Sequence, residues 1–330
     1  MLDLLKAVVL GLIQGLTEFL PVSSSAHLRI FPEWFGWGDP GAAFTAVIQI
    51  GTELAVLLYF RHDIWRIAST WVRSLFRPEY RGHADARMGW YVIVGSLPIV
   101  LLGIALKDVI ERDFRNLWII ATALIVMGVI LGVADRTAKQ DRELKQVGLK
   151  HALLLGGAQA LALVPGVSRS GATISMGLFL GLTREAATRF AFLLAIPAVI
   201  GAGLFELKEI PNGENTYGWG PTLVATVVSF VVGYAAIAWL LRYVSTNSYT
   251  PFVIYRVLLG TATLILLATG DVTAQVFAAR YRGAARIVRL ATDSHSFAGS
   301  ANAAALEAAL RAVIDGTDDA GAAASPHSSS

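Results

Sequence analysis

Apolar residues fall in blocks separated by short charged stretches. Blocks at 41–60, 88–107, 115–134, 186–206, 221–243 and 252–269 approach the roughly 20 residues a helix needs to cross a bilayer. Segments 1–35 and 151–181 are different. Each has about ten apolar residues, a polar break containing proline, and another short apolar run. Too broken to span simply, that pattern predicts a re-entrant hairpin. The order is one hairpin and three helices, twice over. The expected fold is an all-α polytopic membrane protein: a single membrane domain over 1–270, with repeats at about 1–135 and 150–270.

Composition agrees, with 55% hydrophobic and 15% charged residues and a mean hydropathy of +0.58. The absence of cysteine excludes disulfides, thiol catalysis and cysteine-ligated metal. A net charge of +3 is modest and belongs mostly to loops, so nucleic acid is not implied. The N-terminus opens with Asp3 and Lys6 and runs directly into the first polar break, which argues against a cleaved signal peptide.

Charge sets the orientation. Loop 61–87 holds Arg61, Arg66, Arg73, Arg77, Arg81 and Arg87, and loop 135–150 holds Arg136, Lys139, Arg142, Lys145 and Lys150. Both are expected on the cytoplasmic side, with 107–115 and the acidic 206–220 outside. Three helices per unit, an odd number, make the repeats inverted. The first hairpin then enters from outside, the second from the cytoplasm, and their tips meet near the midplane. Residues 271–330, rich in Ala, Gly and Ser, are expected to be largely disordered, with a short helix at 301–314. Threading places this basic tail outside, against the charge rule.

The two breaks carry the candidate chemistry. The first runs from Gln14 and Glu18 through Pro21 to Ser23, Ser24, Ser25 and His27. The second runs from Gln159 through Pro165 and Gly166 to Ser168, Arg169, Ser170, Gly171 and Thr173. Each reads Gln, then Pro six or seven residues on, then Val-Ser-x-Ser, as if the chain had been duplicated. Ionisable groups at bilayer depth are a functional-site hypothesis by default. In the second break, hydroxyls and glycine at a helix start expose free N–H groups, and Arg169 adds a fork of donors suited to phosphate oxygens. In the first, a carboxylate, hydroxyls and an imidazole supply base, nucleophile and acid for phosphoryl or acyl transfer. Glu18 could instead hold a hard divalent ion. The bland alternatives are a helix cap with a structural arginine, and a neutral or paired Glu18.

These residues resemble the undecaprenyl-diphosphate phosphatase family of the bacitracin-resistance type. Gln14 to Glu18 followed by Phe19-Leu-Pro-Val-Ser-Ser24 matches its first motif, and Pro165 to Thr173 its second. The similarity runs over about 1–270. It implies hydrolysis of a C55 polyprenyl diphosphate to the monophosphate, recycling the cell-wall lipid carrier. It also implies a divalent cation, Mg²⁺ or Ca²⁺, and a site open to the outer face of the bacterial inner membrane. Glu18, Ser24, His27 and Arg169 are then the catalytic candidates. Ser23, Ser25, Gly166, Ser168, Ser170 and Thr173 are substrate-binding candidates, and Glu18 and Gln14 are cation ligands. Ser24 activated by Glu18 is the first choice of nucleophile, with His27 or water as alternatives. Position 14 is Gln where many members have Glu, which removes a potential ligand charge. Partners are the polyprenyl diphosphate and the bilayer; a homodimer is compatible with the sequence.

Other ionisable groups rank lower. Glu53 and Arg189 read as structural pairs or interhelix bonds, and Arg256 as a snorkelling cation. Trp34, Trp37, Trp90, Trp118 and Trp219 lie near segment ends as interfacial anchors. A transporter, including a lipid flippase, is the strongest rival reading, because inverted repeats with broken helices also build transporters. A transporter would not need Glu18 with Ser24 and His27.

Overall fold

The described residues of the computed structural model are 2–106, 116–209, 215–270 and 272, with backbone alone at 42 and 202–209. Segment 107–115 and the expected tail, with its short helix at 301–314, lie outside them. Met1–Val272 form one compact unit. Within it the described residues are helical: α1 (Leu2–Phe19), α2 (Ser24–Trp34), α3 (Ala42–Tyr59), α4 (Arg61–Phe76), α5 (Ala84–Ala105) and α6 (Leu117–Thr137). Then follow α7 (Leu149–Ala160), α8 (Arg169–Phe179), α9 (Arg184–Glu209), α10 (Trp219–Val244) and α11 (Thr250–Thr269). No strand occurs among them, only an isolated bridge between Arg142 and Leu182.

All six expected spans are helices, with ends within four residues of the hydropathy limits. Four of them, α5, α6, α10 and α11, are long and apolar enough to cross a bilayer alone; the pair α3–α4, bent by 70°, would be a fifth if it forms one span. The protein is therefore a multi-pass membrane protein. The expected loop at 61–87 is largely helical instead. Ile64, Ile67, Trp71 and Leu75 recur at helical spacing and give α4 an apolar stripe, which the arginines between them conceal in a hydropathy average. Ile67 is buried in the core and Trp71 lies on α5, where Gly89 lets its side chain come close, while Leu75 stays exposed; a Cβ on Gly89 would sit 2.8 Å from that of Trp71.

Helix pairing is reciprocal between the halves. The chain's first helix, α1, packs along α10 from the second half, while α7 packs along α5 from the first. Both contacts use glycine at matching places. A Cβ on Gly11 would strike the Ala225 carbonyl, and one on Gly156, 145 positions later, would strike the Gly95 carbonyl. Bare backbone lets helices approach this closely where lipid provides no hydrophobic drive to associate. The last helices of the two halves, α6 and α11, pack on each other. Beneath the first break, Phe19 and Phe60 meet Phe192 of α9 edge-on, with centroids 5.6 and 6.1 Å apart.

Candidate active site at the meeting of two helix breaks

Pro21 lacks the N–H that would carry a helix onward, and α1 stops at Phe19 just before it; α7 stops at Ala160 and tightens into a 3-10 turn, Leu161–Leu163, before Pro165. A serine at positive φ then turns the chain into the next helix: Ser23 at 75° before α2 and Ser168 at 73° before α8. For a non-glycine residue this conformation costs about 1–3 kcal/mol and collects at functional sites. The two turns are built alike. Ser23 Oγ lies 3.2 Å from Ser25 Oγ, and Ser168 Oγ 3.1 Å from Ser170 Oγ. Each turn leaves the first N–H groups of a helix facing the break.

The turns meet. Ser170 donates its hydroxyl to the Leu20 carbonyl at 3.1 Å. Arg169 Nη2 donates to Glu18 Oε1 at 2.7 Å, closing an ion pair across 151 residues of sequence. Ser24 Oγ donates to Glu18 Oε2 at 2.5 Å. Gln14 Nε2 donates to that same oxygen at 3.1 Å and to Thr52 of α3 at 3.2 Å. The Glu18 and Arg169 side chains stay 12% and 21% exposed, so the cluster can be reached. Among the described residues the Arg169 guanidinium bonds only through Nη2, which leaves Nε and Nη1 for an anion. Chemically, this is a hydroxyl aimed at a carboxylate, beside a guanidinium and two helix starts.

His27 is placed differently from the others. Its Nδ1 donates to the Ser23 carbonyl at 2.7 Å, so its Nε2 accepts from the Tyr255 hydroxyl at 2.6 Å. Phe31 and Tyr255 stack on its ring. Both nitrogens are thereby engaged, and the imidazole steadies the turn that carries Ser24. Ser168 caps α8 by accepting from Gly171 N at 3.1 Å, and Thr173 donates to the Arg169 carbonyl at 2.9 Å. The hydroxyl protons of Ser168, Ser170 and Thr173 are thus committed within the protein. Gly166, at φ 95°, sits against the Ile120 carbonyl of α6, where a Cβ has no room.

Arg256 is the residue that the sequence reading misplaced. It does not snorkel; it is fully buried in α11. Its guanidinium donates to the carbonyls of Pro21 at 2.9 Å, Gly166 at 2.8 Å, Val167 at 3.0 Å and Leu124 at 3.2 Å. One side chain therefore pins both turns to α6. The signal was present: Arg256 is the single charge in 252–269. Of the two lower-ranked groups, Arg189 does form a structural pair, with Asp63 at 2.5 Å. Glu53 has no cation in contact among the described residues.

The halves differ in chemistry. Counting 145 positions on, Gln14 corresponds to Gln159, Glu18 to Leu163 and Ser24 to Arg169. Gln159 is fully buried and neither atom of its amide has a hydrogen-bond partner. The base and nucleophile candidates therefore come from one half and the cation from the other. Around the cluster, Glu18, Glu53, Ser24 and Thr52 offer hard oxygen donors, a set suited to Mg²⁺ or Ca²⁺. No group of three or more His, Cys, Asp or Glu gathers among the described residues, so such a cation would need oxygen atoms from a substrate as well.

Comparison with known proteins gives the same direction. A family model described as bacitracin resistance protein BacA matches residues 7–262. The undecaprenyl-diphosphatase of Nocardioides sp. (strain ATCC BAA-499 / JS614) is 76% identical over 274 residues, which is 83% of this chain and 100% of that protein. Undecaprenyl-diphosphatase 2 of Streptomyces avermitilis is 57% identical over 277 residues, covering 80% and 95% of the two chains. The undecaprenyl-diphosphatase of Thermobifida fusca is 53% identical over 295 residues, covering 89% and 100%. With both helix breaks inside the matched region, the chain belongs to the bacitracin resistance protein BacA family.

Proposed function

We infer that this chain is an integral membrane phosphatase that hydrolyses undecaprenyl diphosphate to undecaprenyl phosphate and inorganic phosphate. That reaction recycles the lipid carrier of cell-wall synthesis and underlies bacitracin resistance. One observation carries the reading: Ser24 aims its hydroxyl at Glu18 beside Arg169, where two helix breaks meet. A transporter would need the arginine and the helix starts, but not a hydroxyl held on a base.

In the mechanism we propose, Arg169 leaves Glu18 to bind the diphosphate with its planar fork. Free N–H groups at the starts of α2 and α8 complete the cradle. Ser24 Oγ attacks the terminal phosphorus while Glu18 takes its proton. The bond from that phosphorus to the bridging oxygen breaks, and undecaprenyl phosphate leaves with the electron pair. Arg169 offsets the charge that develops; positioning and electrostatics supply most of the rate in phosphoryl transfer. Glu18 passes that proton to the departing undecaprenyl phosphate and, again a carboxylate, takes one from the water that opens the phosphoserine; Ser24 Oγ recovers a proton from Glu18 as phosphate leaves. His27 orients the turn under Ser24. Glu18, with Gln14 beside it, would hold Mg²⁺ or Ca²⁺, which when bound draws charge from the phosphate oxygens.

We propose that the two halves form an inverted-topology repeat with two re-entrant hairpins, residues 1–35 and 151–181. The reciprocal pairing of α1 with α10 and α7 with α5 supports a pseudo-twofold axis, and the basic 61–87 and 135–150 segments support a cytoplasmic side. The site then faces the outer side of the bacterial inner membrane. The test is phosphate release from C55 diphosphate by purified protein, with and without Mg²⁺ or Ca²⁺. Glu18→Gln and Arg169→Met should each abolish release while the protein stays folded. No release from folded wild-type protein with any of these cations would overturn the reading.

A further inference from the structure

We propose that Glu53 of α3 is the second carboxylate of the cation site, so that Mg²⁺ or Ca²⁺ is held by Glu18, Glu53 and the substrate diphosphate together. This rests on the phosphatase reading and adds a residue to that site.

Glu53 lies inside the membrane domain and is only 8% exposed. Among the described residues its sole hydrogen bond comes from Gln49, one turn away, which donates to Oε1 at 3.2 Å. Its other oxygen makes none, and no lysine, arginine or histidine touches it among the described residues. A buried carboxylate that touches no cation costs several kcal/mol, and among the described residues the contact that offsets it is the neutral amide of Gln49. Arg189 of α9 is engaged with Asp63.

Its position says what the partner is. Thr52, the preceding residue, is the one that Gln14 ties to Glu18, so α3 reaches the cluster at this turn. Glu53 is within electrostatic reach of both Glu18 and Arg169. Gln14 cannot supply the missing charge, because it is neutral and its N–H groups serve Glu18 and Thr52 as donors. Mg²⁺ is usually held by one or two carboxylates plus substrate phosphate oxygens, and a second carboxylate adds charge that Glu18 alone does not supply. Two carboxylates also balance the two charges of the cation and leave Arg169 free to face the diphosphate.

A site completed by its substrate binds cation and diphosphate cooperatively, each raising affinity for the other by the same factor. The test uses the full chain in detergent, Mn²⁺ as a paramagnetic stand-in, and a methylenediphosphonate prenyl analogue that cannot be hydrolysed. Free Mn²⁺ is read by electron paramagnetic resonance, with the thermal midpoint recorded beside it. Wild-type protein should bind Mn²⁺ more tightly with the analogue than without. Glu53→Gln should weaken that binding by more than about a hundredfold, beyond the roughly 10–100-fold that loss of an outer-shell group costs, and remove the coupling. Glu53→Asp, which keeps the charge, should retain most of it and serves if the Gln variant is poorly folded. Wild-type affinity and coupling in a folded Glu53→Gln protein would overturn the proposal, as would wild-type protein that binds no Mn²⁺ with the analogue present. Either result leaves phosphate release by the wild type, and so the phosphatase reading, separately testable.

Discussion

Replacing Arg256 with Met tests how the site is held together. The guanidinium makes four hydrogen bonds to main-chain carbonyls: Pro21 in the first turn, Gly166 and Val167 in the second, and Leu124 in α6. Bonds from a charged donor are each worth about 1.5–3 kcal/mol, so the gross loss is roughly 6–12 kcal/mol. Removing a buried cation returns several kcal/mol of desolvation, and Met refills most of the volume. The net cost to the arrangement of the turns is then about 3 kcal/mol. At about 1.4 kcal/mol per factor of ten, release of phosphate should fall roughly a hundredfold below the unfolding temperature. Arg256→Lys keeps the charge but not the planar fork, cannot bridge both turns, and should fall between. The assay is phosphate release from C55 diphosphate at saturating cation, paired with thermal unfolding in detergent. A Met variant within threefold of wild type, with the same unfolding midpoint, would refute the view that this side chain sets the turns.

Three further outcomes follow from the geometry. Ser24→Ala should reduce release by at least about a thousandfold with little change in folding; single-turnover release within tenfold of wild type would return the attack to water. Tyr255→Phe removes the donor to His27 Nε2 and should lower kcat about fivefold, the worth of one hydrogen bond, with KM nearly unchanged; unaltered steady-state kinetics would dismiss that contact as a positioning device. Gly156→Leu and Gly11→Leu each force a side chain into a neighbouring helix backbone that cannot yield. Each should destabilise by about 3 kcal/mol, read as matching falls in the unfolding midpoint, and an effect at one site alone would break the equivalence of the halves.

Much of this was legible in the sequence because bilayer physics writes it there. Twenty-residue apolar blocks set the spans, and Pro21 and Pro165 with their flanking hydroxyls marked where helices must stop. Glu18 and Arg169 could be paired in advance because each was an ionisable group in an apolar setting with the opposite charge available. Arg256 escaped that logic. Its partners are carbonyls, which every residue has, so no complementary charge in the sequence points to it. Tyr255 was missed for a similar reason, since a tyrosine in a span reads as packing until its hydroxyl is seen on His27. Helix α4 was hidden by composition, because its arginines outweigh the four apolar residues that fix its face.

The reciprocal packing of the halves bears on how the protein is made. Helix α1 emerges first from the ribosome, yet its packing partner α10 is encoded more than two hundred residues later. Glu18 waits 151 residues for Arg169, roughly 10–30 s at ordinary rates of synthesis. Pro21 waits 235 residues for Arg256. Through that interval Glu18 lacks the arginine that pairs with it in the finished fold. The N-terminal half alone lacks both Arg169 and Arg256. Separately expressed halves should regain activity only when both are inserted in one membrane.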